Sequence, residues 1–137
     1  MKIKNIIFTA ITLCLLIGTM GCEDETYAPP SDPKQAILGK WELIEIGFQN
    51  HTEPYQDNRY IEYLPDSALG WYYYDTKEYT VSNIKYWIDT ILHEKQIRED
   101  GHKIITEYTY QFYEDKMRLE YIDLLAIYDV FIYQRKK

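Results

Sequence analysis

The chain has 137 residues, a formal net charge of −7 and an aromatic content of 16%, including 15 tyrosines and three tryptophans. Its length sets a single domain, and an acidic chain without clustered Lys or Arg excludes nucleic acid and anionic headgroups as partners, because concentrated positive charge holds both. Six glycines and two cysteines, Cys14 and Cys22, leave little material for phosphate-cradling loops or disulfides.

At the N-terminus, Lys2 and Lys4 precede an apolar run over 6–17, and Gly18, Thr19 and Gly21 lead into Cys22. A charged segment, a short apolar segment and small residues at a processing site make an export signal. The run is shorter than the about 20 residues that a membrane span needs.

The end of this segment resembles a bacterial lipobox, whose cysteine thiol takes a diacylglyceryl group and becomes the new N-terminus. The resemblance makes Cys22 the lipidation site. Glu23-Asp24-Glu25 resembles the signal by which some Gram-negative bacteria send lipoproteins to the outer face of the outer membrane. The expected location is the outer membrane, surface-exposed or facing the periplasm, with the lipid anchor as the membrane partner. An uncleaved anchor and plain periplasmic secretion would use the same residues. Removal of 1–21 takes away Lys2, Lys4 and no acid, which moves the net charge from −7 to −9. Cys14 leaves with that segment and acylation consumes Cys22, so no disulfide or thiolate metal site is expected.

The expected organisation is a signal over 1–21, an acidic tether over 22–35 with Pro29, Pro30 and Pro33, and a globular domain over 36–137. Prolines stiffen such a tether, which spans about 3 Å per residue. Beyond it, alternation with period two recurs, and strands are expected over 40–48, 59–64, 69–74, 83–88, 90–97, 104–112, 117–121 and 127–135. The clearest puts Ile104, Thr106, Tyr108, Tyr110 and Phe112 on one face, and its neighbour puts Met117, Leu119 and Tyr121 inward. Turns are expected at Pro65-Asp66-Ser67, Asp75-Thr76-Lys77, Glu99-Asp100-Gly101 and Glu114-Asp115-Lys116. Helix is expected only as single turns near 32–38 and 123–126. Short links between successive strands force antiparallel pairing, and an all-β, eight-stranded up-and-down barrel, or a sandwich, follows; closure is favoured because it removes exposed edges.

Gly39-Lys40-Trp41 opens the first strand and Tyr133-Gln134-Arg135 ends the last. This pattern resembles the short bacterial lipocalin-like lipoproteins of the calycin group, whose barrels begin with Gly-x-Trp and carry a late Arg over that Trp. The resemblance implies barrel closure by Trp41 and Arg135, and a small amphipathic or hydrophobic ligand. Trp71, Tyr73, Tyr86, Tyr108, Tyr110 and Tyr121 are the candidate lining, because tyrosine offers a stacking face and a hydroxyl together. The same rings also suit an ordinary packed core, and Trp71-Tyr72-Tyr73-Tyr74 necessarily places rings on both faces of one strand. A filled core acting as an interaction or inhibitor module of the cell envelope is the alternative, with a basic protein partner.

No enzyme, cofactor or metal site is expected. His51, His93 and His102 lack ligand spacing, and His93 and Glu94 fall on opposite strand faces. No Gly-x-Ser-x-Gly elbow occurs. Asp66-Ser67-Ala68 and Asp89-Thr90-Ile91 resemble a bacterial O-glycosylation sequon, with Ser67 the better placed because it is expected in a turn.

Overall fold

A computed structural model describes residues 30–123 and 127–137. The expected signal, Cys22, most of the tether and the core of the expected turn over 123–126 lie outside the described residues. A one-turn helix α1 (Pro33–Ala36) precedes nine strands: β1 (Gly39–Phe48), β2 (His51–Pro54), β3 (Arg59–Tyr63), β4 (Ala68–Tyr73), β5 (Glu78–Ile88), β6 (Leu92–Ile97), β7 (Lys103–Tyr113), β8 (Lys116–Tyr121) and β9 (Val130–Arg135). All pairings are antiparallel, in the order β2-β1-β3-β4-β5-β6-β7-β8-β9, and β1 also pairs with β9. The result is a closed eight-stranded barrel with one extra strand.

The extra strand β2 pairs with the second half of β1 at Glu45 to Phe48, while β3 pairs with the first half at Gly39 to Glu42. The two are thus an interrupted strand along one edge of β1. Gly47 permits this fold-back, since a Cβ there would meet the His51 carbonyl oxygen at 2.1 Å and the Thr52 Cα at 2.7 Å. Strand β5 starts at Glu78 rather than at the expected 83, because its first four residues are exposed and bury neither face, and its pairing with β4 shifts register between Ala68 and Gly70. The strand expected from 90 starts at Leu92, because the Asp89 side chain accepts from the Ile91 amide and makes 89–91 a turn. The last strand starts at Val130 rather than 127. Each of the four expected turns contains one residue with left-handed backbone: Ser67, Lys77, Gly101 and Glu114.

Helix α1 closes one end of the barrel. Asp32 caps it by accepting from the Lys34 amide, and Pro33 supplies a preset φ at its first turn. Ala36 and Ile37, at the end of this helix, are fully buried. The Trp41 indole N–H donates to the Ile37 carbonyl at 2.8 Å. The Arg135 guanidinium lies 4.2 Å from the Trp41 ring centroid and donates to the carbonyls of Leu38 (2.7 Å) and Ala36 (2.6 Å). Gly39 stands between them with φ of 110°, and a Cβ on it would lie 3.1 Å from Arg135 Nη1. Gly39→Ala is therefore expected to cost about 1 to 3 kcal/mol, read as a lowered urea midpoint at unchanged slope; a cost within error of zero would contradict this account of the Gly-x-Trp triplet.

Candidate functional site

The inward faces follow from register. Tyr63 and Leu69 are paired core residues, so Ile61 with Trp71 and Arg59 with Tyr73 share that face. Ile88 and Leu92 likewise carry Tyr86 with Glu94 and Ile84 with Gln96 inward. On β7 and β8 the inward pairs are Phe112 with Met117, Tyr110 with Leu119 and Tyr108 with Tyr121.

Burial of these inward side chains falls from one end of the barrel to the other. Near α1 it is complete or nearly so: Leu92 and Met117 are 0% exposed, Trp41 1%, and Leu69 and Leu119 2%. One or two inward steps further along the same strands, Glu94, Gln96, Tyr121, Trp71 and Tyr73 are only half-buried, and Ile104 at the mouth is exposed. Inward side chains in the half of the barrel away from α1 thus keep solvent-accessible surface, toward the 74–77 and 98–102 connections. A depression of about 450 Å³ adjoins this mouth, bordered by Asn83, inward-facing Gln96, Arg98, Glu99 and Asp100.

The candidate lining residues divide by depth. The Tyr86 hydroxyl donates to the Leu64 carbonyl at 2.7 Å and the Tyr110 hydroxyl to the Asp89 carbonyl at 2.6 Å, so both tie turns at the closed end. Tyr108 and Tyr121 meet edge to face at 5.0 Å, with Phe131 at 6.4 Å from Tyr108. Trp71 and Tyr73 stand near the mouth with Arg59, whose guanidinium is 4.8 Å and 5.9 Å from their ring centroids and 3.6 Å from Asp57. Thus Tyr121, Trp71 and Tyr73 lie in the accessible half of the barrel, Tyr108 stands opposite fully buried Leu92, and Tyr86 and Tyr110 belong to the closed end.

Glu94 is the inward acid that sequence reading does not single out. It sits one inward step above fully buried Leu92, directly opposite Thr106 on β7. The Tyr63 hydroxyl, on β3, donates to Glu94 Oε1 at 2.7 Å. Because β4 and β5 separate β3 from β6 in the sheet, this bond crosses the barrel interior. Burial pushes the Glu94 carboxyl above its ordinary range, an effect the Tyr63 bond partly offsets. Burial also raises the phenols of Tyr63, Tyr108 and Tyr133, and the Glu94 charge adds to each shift. The signal available in the sequence was period two alone: Leu92 and Glu94 are two apart, so an acid shares the face of a core leucine.

The outer surface carries two further aromatic groups. On β3 and β4, Tyr60 stacks on Tyr72 at 5.1 Å, with Lys40 and Lys136 over the Tyr60 ring. On β5 and β6, Trp87 stacks on His93 at 4.5 Å, and the His93 ring nitrogens approach Asp89 (3.3 Å) and Glu107 (3.0 Å). His93 therefore points away from Glu94, as alternation requires. Among the described residues no group of three or more His, Cys, Asp or Glu converges to hold a metal. Ser67 is exposed in its turn, and Thr90 lies exposed in the 89–91 turn rather than in a strand.

No protein-family model matches this chain, and no curated protein matches it. The closed antiparallel barrel is compatible with a calycin-like fold.

Proposed function

We propose that this chain is an extracytoplasmic, lipid-anchored, lipocalin-like binding protein that holds a small amphipathic ligand in the open half of its barrel. The supporting observation is the burial gradient: side chains aimed at the barrel axis are sealed at the α1 end and remain accessible toward the mouth. A domain of this size that needed its interior only for stability gains by closing that space, since each inward apolar group left wet forgoes about 25 cal/mol per Å². The Cys22 anchor and its stiff tether would hold the cup clear of the membrane.

N-phenyl-1-naphthylamine, a neutral apolar fluorophore, is expected to bind at one saturable site with energy transfer from tryptophan, and a cup-filling Thr106→Trp substitution is expected to abolish it. Absence of saturable binding, or equal binding by the filled variant, would overturn the proposal. The filled-core interaction module is the second reading, favoured by exposed Val81, Trp87, Ile97 and Ile105 on the β5–β7 wall. It predicts no fluorophore site and a co-purifying envelope partner.

A further inference from the structure

The accessible half of the barrel holds an inward acid, Glu94, directly above fully buried Leu92. A carboxylate offers about four lone-pair sites. Among the described residues Glu94 accepts one side-chain hydrogen bond, from Tyr63 to Oε1. Glu94 is only half-buried, so an incoming ligand takes the place of water at the carboxylate, a loss that is costly unless the ligand brings a donor or an opposite charge.

Resting on the cup reading above, we infer that the ligand is a small organic cation, a protonated amine on a compact apolar body, with Glu94 as its counter-ion. The positive charge at the rim does not oppose this: Arg59 is already paired with Asp57 and stacked on Trp71. Tyr108, Tyr121 and Phe131 rise on the β7–β9 side of the same interior, and aromatic faces attract ammonium groups. A neutral apolar guest would displace water from Glu94 and bring neither a donor nor an opposite charge in its place. An anion would face like charge at the floor and an acidic chain outside it.

The probes are 2-phenylethylamine, 2-phenylethanol and 3-phenylpropionate, each competing against N-phenyl-1-naphthylamine on the unaltered chain and on Glu94→Gln. On the unaltered chain the amine is expected to bind about tenfold or more tighter than the alcohol, as charge-assisted pairing outweighs a neutral hydrogen bond, and the acid is expected to bind weakest. In Glu94→Gln, with fluorophore affinity measured afresh on that variant, the amine preference over the alcohol is expected to vanish. If the fluorophore binds but amine and alcohol compete equally, or if Glu94→Gln keeps the preference, the cation inference falls and the cup reading stands. If the fluorophore does not bind at all, both fall.

A second readout separates a ligand counter-ion from a structural acid. A carboxyl raised in the folded state contributes stability that is full below its unfolded pKa and lost as pH rises through the folded one, so above the ordinary carboxylate range Glu94 costs the empty barrel stability. Gln keeps the acceptor for Tyr63 without the charge. Glu94→Gln is therefore expected to unfold at higher urea than the unaltered chain at neutral pH, and unfolding at lower urea would overturn the inference.

Discussion

Trp41→Ala is expected to remove about 3 to 5 kcal/mol of stability, the usual cost of deleting a buried tryptophan, and so to consume a large share of the roughly 5 to 15 kcal/mol that holds a domain of this size. The indole is 1% exposed and packs within 6.2 Å of Phe112. It does more than fill volume. Its N–H satisfies the Ile37 carbonyl, and its face supports the guanidinium that satisfies Leu38 and Ala36. Deletion leaves one carbonyl without its donor and lets Arg135 lose its platform, where stacking contributes about 0.5 to 2 kcal/mol. Trp41→Phe keeps much of the bulk but not the N–H, and should cost less than half as much. Urea unfolding followed by far-ultraviolet circular dichroism measures both; a Trp41→Ala cost below about 1.5 kcal/mol would mean that the closed end tolerates a cavity, contrary to close packing.

Alkali is expected to unfold the barrel cooperatively rather than titrate its tyrosines one by one. Burial holds Tyr86 up to about 12, and burial also raises Tyr63, Tyr108 and Tyr133, with the Glu94 charge adding to all three. In each case the folded pKa exceeds the unfolded value of 10.0. The stability these phenols contribute is therefore full below pH 10, and it is lost as pH rises through the folded values. Phenolate absorbance should rise in a cooperative step above pH 10 that coincides with loss of the sheet signal. Complete ionisation with an intact sheet would show that the inner rings are not shielded.

Much of this fold is legible from alternation and turn chemistry. On β7 and β8, Tyr108, Tyr110, Phe112, Met117 and Leu119 all face the core as period two requires. Gly39-Lys40-Trp41 and Arg135 are recognisable at the two ends of the chain, and the structure brings them into contact. What escapes sequence reading has physical causes. Strand β2, His51–Pro54, is short and largely exposed, so it leaves no apolar pattern, and the first four residues of β5 are exposed and bury neither face. The division of the tyrosines into base and cup depends on which carbonyl each hydroxyl meets across the barrel, as Tyr86 meets Leu64 and Tyr110 meets Asp89. Glu94 was hidden for the same reason, since its partner Tyr63 is 31 residues away in sequence.

The cup itself is tested most directly by nuclear Overhauser contacts between bound N-phenyl-1-naphthylamine and assigned side chains. The account predicts contacts to Trp71, Tyr108, Tyr121 and Thr106, all on the inward face, with none to Tyr72 or Trp87. Contacts confined to Tyr60, Tyr72, Trp87 or other outer side chains would contradict it.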